Sequence, residues 1–374
     1  MDLTFYDSSS GLSLCLKSEG QALRFFRRER PINLALQGGG VHGAFTWGVL
    51  DRLLSEADLS IGWISGTSAG AVNAVAVAHG LAKGDPDLAR ETLSSIWHAV
   101  ERSGVTDLLR LNPFLFGLAK SGQMPNMAAF FSPYSFNPGG FDPLRKILEE
   151  HLDFDAIRNS KHLELVLAAT DVTTGRARLF KRQELSVEVV LASACLPTLH
   201  HAVEIDGRSY WDGGFSANPD LLRIASASPV ADTLLVLLNP LHQTEVPKSA
   251  KAIEDRVNTI TFNQALIRDI ETILYAREAP DGWFRARDPL GRIKAHRFHM
   301  IGAGEFTEGL GASSKIMPEK ELLDYLMSAG QKETERWLET SKKHVGRRST
   351  VDLRATFFAD PVAREPDQQL KDVV

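Results

Sequence analysis

Cysteine is nearly missing from this chain: Cys15 and Cys195 are the only two in 374 residues. Two cysteines can build neither a disulfide framework nor the paired spacing of a zinc site, so a reducing, cytoplasmic setting and no bound metal are expected. Positive charge is not in excess either. Lys and Arg number 42 against 47 Asp and Glu, a net charge of −5, so no nucleic-acid partner is expected. No uncharged apolar run reaches the about 18 residues needed to span a bilayer. The nearest is the Ala-rich stretch after residue 70. Asn73 and His79 interrupt it, and it reads better as a buried core helix. The opening residues, Met1 to Asp7, lack a basic stretch followed by an apolar one, so no secretory leader is expected. Internal repeats and low-complexity tracts are lacking too. What remains is an ordinary globular composition, 43% hydrophobic and 24% charged, long enough for one large α/β domain or two smaller ones.

Residues 1–30 read as a lead-in. Arg24-Phe25-Phe26-Arg27-Arg28-Glu29-Arg30 suits either a peripheral contact with an anionic membrane surface or a solvated basic helix end. Ile32-Asn33-Leu34-Ala35-Leu36 reads as a short buried strand. It runs into a glycine turn, Gly38-Gly39-Gly40, and a helix with apolar positions Phe45, Val49, Leu50, Leu53 and Leu54. A second strand, Ile61 to Ile64, leads to Gly66-Thr67-Ser68-Ala69-Gly70 and another helix. This alternation implies α/β architecture: a parallel-rich central sheet flanked by helices, with ligands at the carboxyl ends of the strands.

Further along, residues 85–160 read as mainly helical. Within them, 110–140 is rich in Pro, Gly, Phe and Met, including Pro113, Phe114, Leu115, Phe116, Met124, Met127, Phe130 and Phe131. It suits an apolar wall for an acyl chain and ordinary packing equally. A strand over 162–171 and a return at Ala177 to Phe180 form a hairpin. A second hairpin turns at Asp206-Gly207, a strong turn dipeptide, and ends in Asp212-Gly213-Gly214. Thr233 to Leu238 is a late core strand. From 241 to 358 a mainly helical C-terminal extension is expected, with helices over Phe262–Ala279 and Glu319–His344 and a strand over Lys294–Met300. Residues 359–374 read as a disordered tail.

Three stretches carry chemistry. Gly66-x-Ser68-x-Gly70 fits the nucleophile elbow, in which a serine on a strained strand-to-helix turn is exposed at a helix N-terminus. A neutral serine hydroxyl needs a base and donors for the oxyanion it creates. The Gly38 to Gly43 turn offers backbone N–H groups at a helix start, the preorganised donors an oxyanion hole needs. The same turn also fits G-x-G-x-x-G, the dinucleotide fingerprint, but Asp58, at the right offset for its acidic residue, precedes the second strand rather than ending it. For the base, His242, His296, His299 and His344 follow Asp212 as an esterase triad requires, yet none sits in a motif. Asp212 itself, at a strand end before two glycines, could take the proton directly. Alone it would read as an ordinary turn residue.

Taken together, Gln37-Gly38-Gly39-Gly40-Val41-His42-Gly43-Ala44, Gly66-Thr67-Ser68-Ala69-Gly70 and Asp212-Gly213-Gly214 with Asn218-Pro219 resemble the three motif blocks of the patatin-like phospholipases. The segment Ala168 to Gly175 is similar as well, and the likeness covers about 30 to 240. It implies a three-layer α/β/α catalytic domain over 31–240 that hydrolyses acyl esters of lipids without a metal or other cofactor. It further implies Ser68 as nucleophile and Asp212 as proton acceptor. The amides of Gly38, Gly39, Gly40, Val41 and Gly43 would form the oxyanion hole, with Gly66 and Gly70 shaping the elbow and Gly213 and Gly214 the third motif. The substrate would be a phospholipid or another acyl ester. Many members carry Arg or Lys where this chain has His42. A lipid-binding module without useful catalysis, or a Ser-His-Asp esterase, are the competing expectations.

Overall fold

The computed structural model describes residues 29–111, 132–161, 163–243, 245–280, 288–307, 310 and 312–359. The expectations for Cys15, for 24–28, for the apolar residues between Pro113 and Phe131, for the region beginning at Phe284 and for the tail from 360 lie outside the described residues. In chain order the elements that position the site are β1 (Arg30–Leu36), α1 (Gly43–Leu54), β2 (Leu59–Thr67), α2 (Ala69–Ala82), α3 (Pro86–Leu111), α4 (Pro143–His151), β3 (Glu164–Asp171) and β4 (Ala177–Lys181). Then follow α5 (Val187–Ser193), β5 (Val203–Ile205), β6 (Arg208–Asp212), α6 (Leu221–Ala227), β7 (Asp232–Leu237), α7 (Ala250–Glu278), α8 (Pro289–Ala295), β8 (Arg297–Gly302) and α9 (Lys320–Thr340).

The eight strands make one mixed sheet in the order β5-β6-β3-β2-β1-β7-β8, with β4 also paired to β3. β1, β2, β3, β7 and β8 run parallel, while β4, β5 and β6 join as antiparallel arms. The central strands read as continuous apolar runs because both of their faces are covered. Alternate side chains feed two cores. Leu34, Leu36, Leu234 and Val236 point to the side packed by α1, α2, α3, α5 and α9. Ala35, Leu235 and Leu237 point to the side packed by α6 and α7. The result is the expected three-layer α/β/α arrangement.

Parallel pairing also fixes where the chemistry gathers. β1 pairs with β2 through Leu36 and Gly66, and with β7 through Leu36 and Val236. The glycine turn, the serine elbow and the exit of β7 therefore lie side by side at the carboxyl edge. The hairpin at Asp206-Gly207 is present, with both residues at positive φ (52° and 73°), as a primed two-residue turn requires.

Three expectations shift. Arg30 belongs to β1 and donates from Nη1 to Lys342 O (2.8 Å), so it is not a solvated helix end. The helix expected from Phe262 starts twelve residues earlier, where the Ser249 side chain accepts from Ala252 N–H and caps it. The strand expected over Lys294–Met300 is Arg297–Gly302, because Pro289 opens a helix that runs to Ala295. β8 pairs along β7, so the chain beyond 240 adds a strand to the sheet as well as helices.

One buried carboxylate holds this edge. Asp232 accepts from Arg297 Nη2 (2.7 Å), His299 Nε2 (3.1 Å) and Gly346 N–H (3.0 Å), tying β7 to β8 and to the turn after α9. Burial pushes its pKa up, but the donors from His299, Arg297 and Gly346 outweigh burial and hold it well below the usual carboxylate range. A lowered folded pKa stabilises above the unfolded value of about 3.9 and is lost as pH falls below it. Asp232→Asn should cost about 3–5 kcal/mol in denaturant unfolding at neutral pH, because Arg297 is left without its partner. The difference between variant and wild type should shrink when unfolding is measured near pH 3.

Candidate active site

β2 delivers Gly66 and Thr67 into Ser68, which sits at φ 55° and ψ −123°. A non-glycine residue rarely takes this conformation, and holding it costs about 1–3 kcal/mol. Several bonds impose it. Ser68 N–H donates to Ser193 Oγ (3.0 Å). Ser68 C=O accepts from Ala71 N–H (2.8 Å) and Val72 N–H (3.2 Å), so the residue caps α2 with its backbone. Its side chain makes no capping bond, which leaves the hydroxyl at the helix N-terminus uncommitted to the helix. Thr67 Oγ1 donates to Ala217 O (2.7 Å) and ties the elbow to the chain after Asp212. Gly70 closes the turn: a Cβ there would collide with the Leu36 carbonyl at the end of β1. Gly66 faces Gly70 across the same turn.

The glycine turn lies directly against the serine. A Cβ on Gly38 would stand 2.7 Å from Ser68 Cβ, so only glycine lets this backbone approach. Gln37 fastens the turn, accepting at Oε1 from Leu238 N–H (2.7 Å) and Asn239 N–H (2.9 Å) and donating from Nε2 to Asn263 Oδ1 (3.0 Å). The amides then divide. Gly38 N–H donates to Asn218 Oδ1 (2.7 Å) and is already satisfied. Gly43 N–H donates to the Gly40 and Val41 carbonyls and closes the short 3₁₀ turn Gly40–His42. Among the described residues, Gly39, Gly40 and Val41 N–H have no hydrogen-bond acceptor. Val41 is buried within the 3₁₀ turn. Of the five amides expected to act together, Gly38 and Gly43 are thus committed to the scaffold.

Asp212 ends β6, where its N–H donates to Cys195 O (2.8 Å) and its C=O accepts from Thr170 Oγ1 (2.7 Å). Its side chain is fully buried. Oδ1 accepts from Gly214 N–H (2.7 Å), while Oδ2 has no hydrogen-bond partner. Burial drives the carboxyl pKa up to about 7, against the smaller lowering effects of the Gly214 N–H and the Ser68 hydroxyl. Ser68 therefore stands close enough to bias the carboxylate, yet outside hydrogen-bond geometry. Gly213 packs against the Ala168 carbonyl and Thr67, and Gly214 against the Phe262 ring, so this third motif wedges between the elbow and α7.

The histidines are elsewhere. His299 bonds Asp232, and His296 Nε2 bonds Thr233 Oγ1 (2.7 Å), both toward the start of β7. His242 bonds Thr356 O (3.0 Å), and His344 lies beside Arg348. Among the described residues, no histidine bonds Ser68 or Asp212, which argues against the esterase triad. Asp58 pairs with Lys342 (2.6 Å) just before β2, at the opposite edge of the sheet from the glycine turn. The acidic contact of a dinucleotide site is thus missing at this turn. His42 is buried, with Nε2 bonded to Ser314 Oγ (2.8 Å) and Nδ1 unpartnered. Burial, helped by the nearby Lys315 charge, lowers its pKa to about 3. Among the described residues, no group of three His, Cys, Asp or Glu side chains could hold a metal ion.

Sequence reading named Asn218 in the third motif block, and the structure puts its side chain on the Gly38 amide. It missed three supporting residues: Ser193, which holds the elbow amide, and Asn239 and Lys315, which join the glycine turn from beyond β7. None of these three has a local signal, because each acts through a contact far from it in sequence.

Comparison with known protein families bears on about half of the chain. The family model described as "Patatin-like phospholipase" matches residues 34–224. No curated protein matches. Among solved structures, VipD from Legionella pneumophila is 14% identical, with a TM-score of 0.41 over 83% of this chain and 67% of its own. The type III effector protein ExoU is also 14% identical, with a TM-score of 0.25 over 88% of this chain and 78% of its own. Neither score is high enough to bear on the argument.

The Asp212 environment has a measurable consequence. Its folded pKa near 7 exceeds the unfolded value of about 3.9. The folded state therefore prefers the protonated carboxyl, and stability is lost as pH rises between those values. Asp212→Asn should melt at a higher temperature than wild type at about pH 8, and calorimetry should show the gain vanishing near pH 4.

Proposed function

This chain belongs to the patatin-like phospholipase family, and from that premise we propose that it cleaves carboxylic esters of lipids through a Ser68–Asp212 dyad. As a family member it is a lipid acyl hydrolase, and its substrate is a lipid. In our reading, Ser68 Oγ attacks the ester carbonyl while Asp212 Oδ2 takes its proton. Gly39 and Gly40 N–H, with the N-terminus of α2, stabilise the oxyanion. The tetrahedral intermediate then expels the alcohol, which receives the proton held by Asp212, and an acyl-serine remains. Asp212 next takes a proton from water as its oxygen attacks the acyl-serine. That intermediate collapses to the free carboxylic acid and returns the proton to Ser68 Oγ.

The observation that carries this reading is the unpartnered, buried Oδ2 of Asp212 beside a strained serine. An ordinary aspartate, with a pKa of about 3.9, is too weak a base for a serine hydroxyl. Burial brings the pKa to about 7, where base strength and the ionised fraction are both useful at neutral pH. The amides without acceptors in the glycine turn, whose Gly38 lies against Ser68, would supply the second requirement.

We infer further that the enzyme works in the cytoplasm as a peripheral protein at a lipid surface and has no nucleic-acid partner. Exposed Ile253, Val257 and Ile260 share one face of α7, the helix whose Phe262 packs on Gly214. Such a stripe suits lipid contact.

Ser68→Ala should lose ester hydrolysis to background on a panel of phospholipid and p-nitrophenyl esters, a fall of roughly 10³-fold or more. A fluorophosphonate probe should label wild type stoichiometrically and leave Ser68→Ala unlabelled. A wild type that takes no label would favour a non-catalytic lipid-binding module. Because the base must be ionised, kcat/KM should rise with pH through about 7.

A further inference from the structure

A lysine ammonium is costly to take even partly out of water, and when it is half-buried its position needs a reason. Lys315 closes the short 3₁₀ turn Ala312–Lys315, which lies outside the family-matched residues 34–224 and packs on the Gly40–His42 turn. The Lys315 carbonyl presses against Gly40, which sits at φ 59°, so that a Cβ there would collide with it. Lys315 Nζ donates to Asn239 Oδ1 (2.7 Å). Asn239 Nδ2 in turn donates to the Gly38 carbonyl (3.4 Å), and Asn239 N–H donates to Gln37 Oε1 (2.9 Å). Both partners fix the orientation of the Asn239 amide, since an ammonium only donates and a carbonyl only accepts.

The Gly38 carbonyl and the Gly39 N–H belong to one peptide group. Gly39 N–H is one of the three amides in the turn without an acceptor among the described residues. We propose that Lys315 is a positioning residue for catalysis: its charge, relayed through the Asn239 amide to the Gly38–Gly39 peptide, strengthens Gly39 N–H as an oxyanion donor. Hydrogen bonds in such a chain polarise one another, and the effect grows where water is excluded. The inference rests on the dyad reading of Ser68 and deepens it.

The charged groups facing Lys315 support this assignment. His42, from the Gly40–His42 turn, cannot provide the charge, because burial and Lys315 itself keep it neutral with a pKa near 3. Asp255, from α7, favours the ammonium and partly offsets the burial that brings Lys315 down to about 8. Lys315 is therefore charged at neutral pH and loses its charge just above it. Activity should rise as Asp212 ionises and fall as Lys315 deprotonates.

The test is a set of pH–rate profiles with a soluble p-nitrophenyl ester. Lys315→Met should lower kcat roughly tenfold with little change in KM, a smaller loss than deleting an oxyanion donor outright. It should also abolish the alkaline fall near 8. Lys315→Arg should keep most of the rate and carry the alkaline limb beyond the assay range, since guanidinium stays charged. Asn239→Leu should match the loss in Lys315→Met, and the double variant should lose no more than either single one. Fluorophosphonate titration counts folded sites in each preparation. Unchanged kcat and an unchanged alkaline limb in Lys315→Met overturn the inference, provided Ser68→Ala is inactive. An active Ser68→Ala overturns the dyad reading instead. Should Lys315→Met melt below the assay temperature, Lys315→Arg decides: an alkaline limb it leaves near 8 overturns the proposal.

Discussion

The close approach of two chain reversals at the carboxyl edge of the sheet governs the site. β1 and β2 run parallel and adjacent, so the turn after Leu36 and the elbow at Ser68 meet almost in contact. Nothing larger than a hydrogen fits at Gly38, and the Leu36 carbonyl leaves none at Gly70. The backbone of one turn thus lies against the serine of the other. The strain at Ser68 follows from the same constraint. It is held by Ser193 from below and by the first turn of α2 from above, so the serine cannot relax without unpairing a buried amide.

Burial then sets the chemistry. The same exclusion of water makes Asp212 costly to ionise, and in the proposed dyad that raised pKa is what would let it serve as a base beside amides that act strongly in such a medium. Two titratable groups close to the site, Asp212 and His42, are pushed in opposite senses by burial, toward the neutral carboxylic acid and the neutral imidazole. Lys315 is the cation next to this turn, and it comes from chain that follows β7.

That contribution links the two parts of the molecule. Beyond β7 the chain adds β8 to the sheet, lays α7 across Gly214 and brings Asn239, Asn263 and Lys315 to the glycine turn. Asn263 and Lys315 lie outside the family-matched segment, yet both join the network that holds Gln37 and Gly38. Asn218 works from inside it, with Oδ1 on Gly38 N–H and Nδ2 donating to the Phe262 carbonyl (3.0 Å). One amide side chain thus couples the glycine turn to α7.

Much of this was legible in the residues. Apolar runs such as Ile32 to Leu36 and Thr233 to Leu238, separated by helical spacing, implied a sheet covered on both sides, because period and polarity are local properties. Asp206-Gly207 announced its turn for the same reason: its conformational demand lies within two residues. Helix ends were less legible. Ser249 capped α7 ahead of the apolar spacing that suggested a start at Phe262, and Pro289 converted part of an expected strand to helix.

By itself, then, the amino-acid sequence determined the layered fold, the elbow serine and the glycine turns, since each is encoded in a few neighbouring residues with a fixed backbone requirement. It also marked Asp212 by its place before two glycines. Only the tertiary structure decided which amides are open, that no described histidine reaches the serine, and that burial rather than a partner tunes Asp212. It alone decided that a lysine distant in sequence sits behind the glycine turn. Hydrogen-bond satisfaction and desolvation depend on what packs around a group, and no local pattern of residues carries that information.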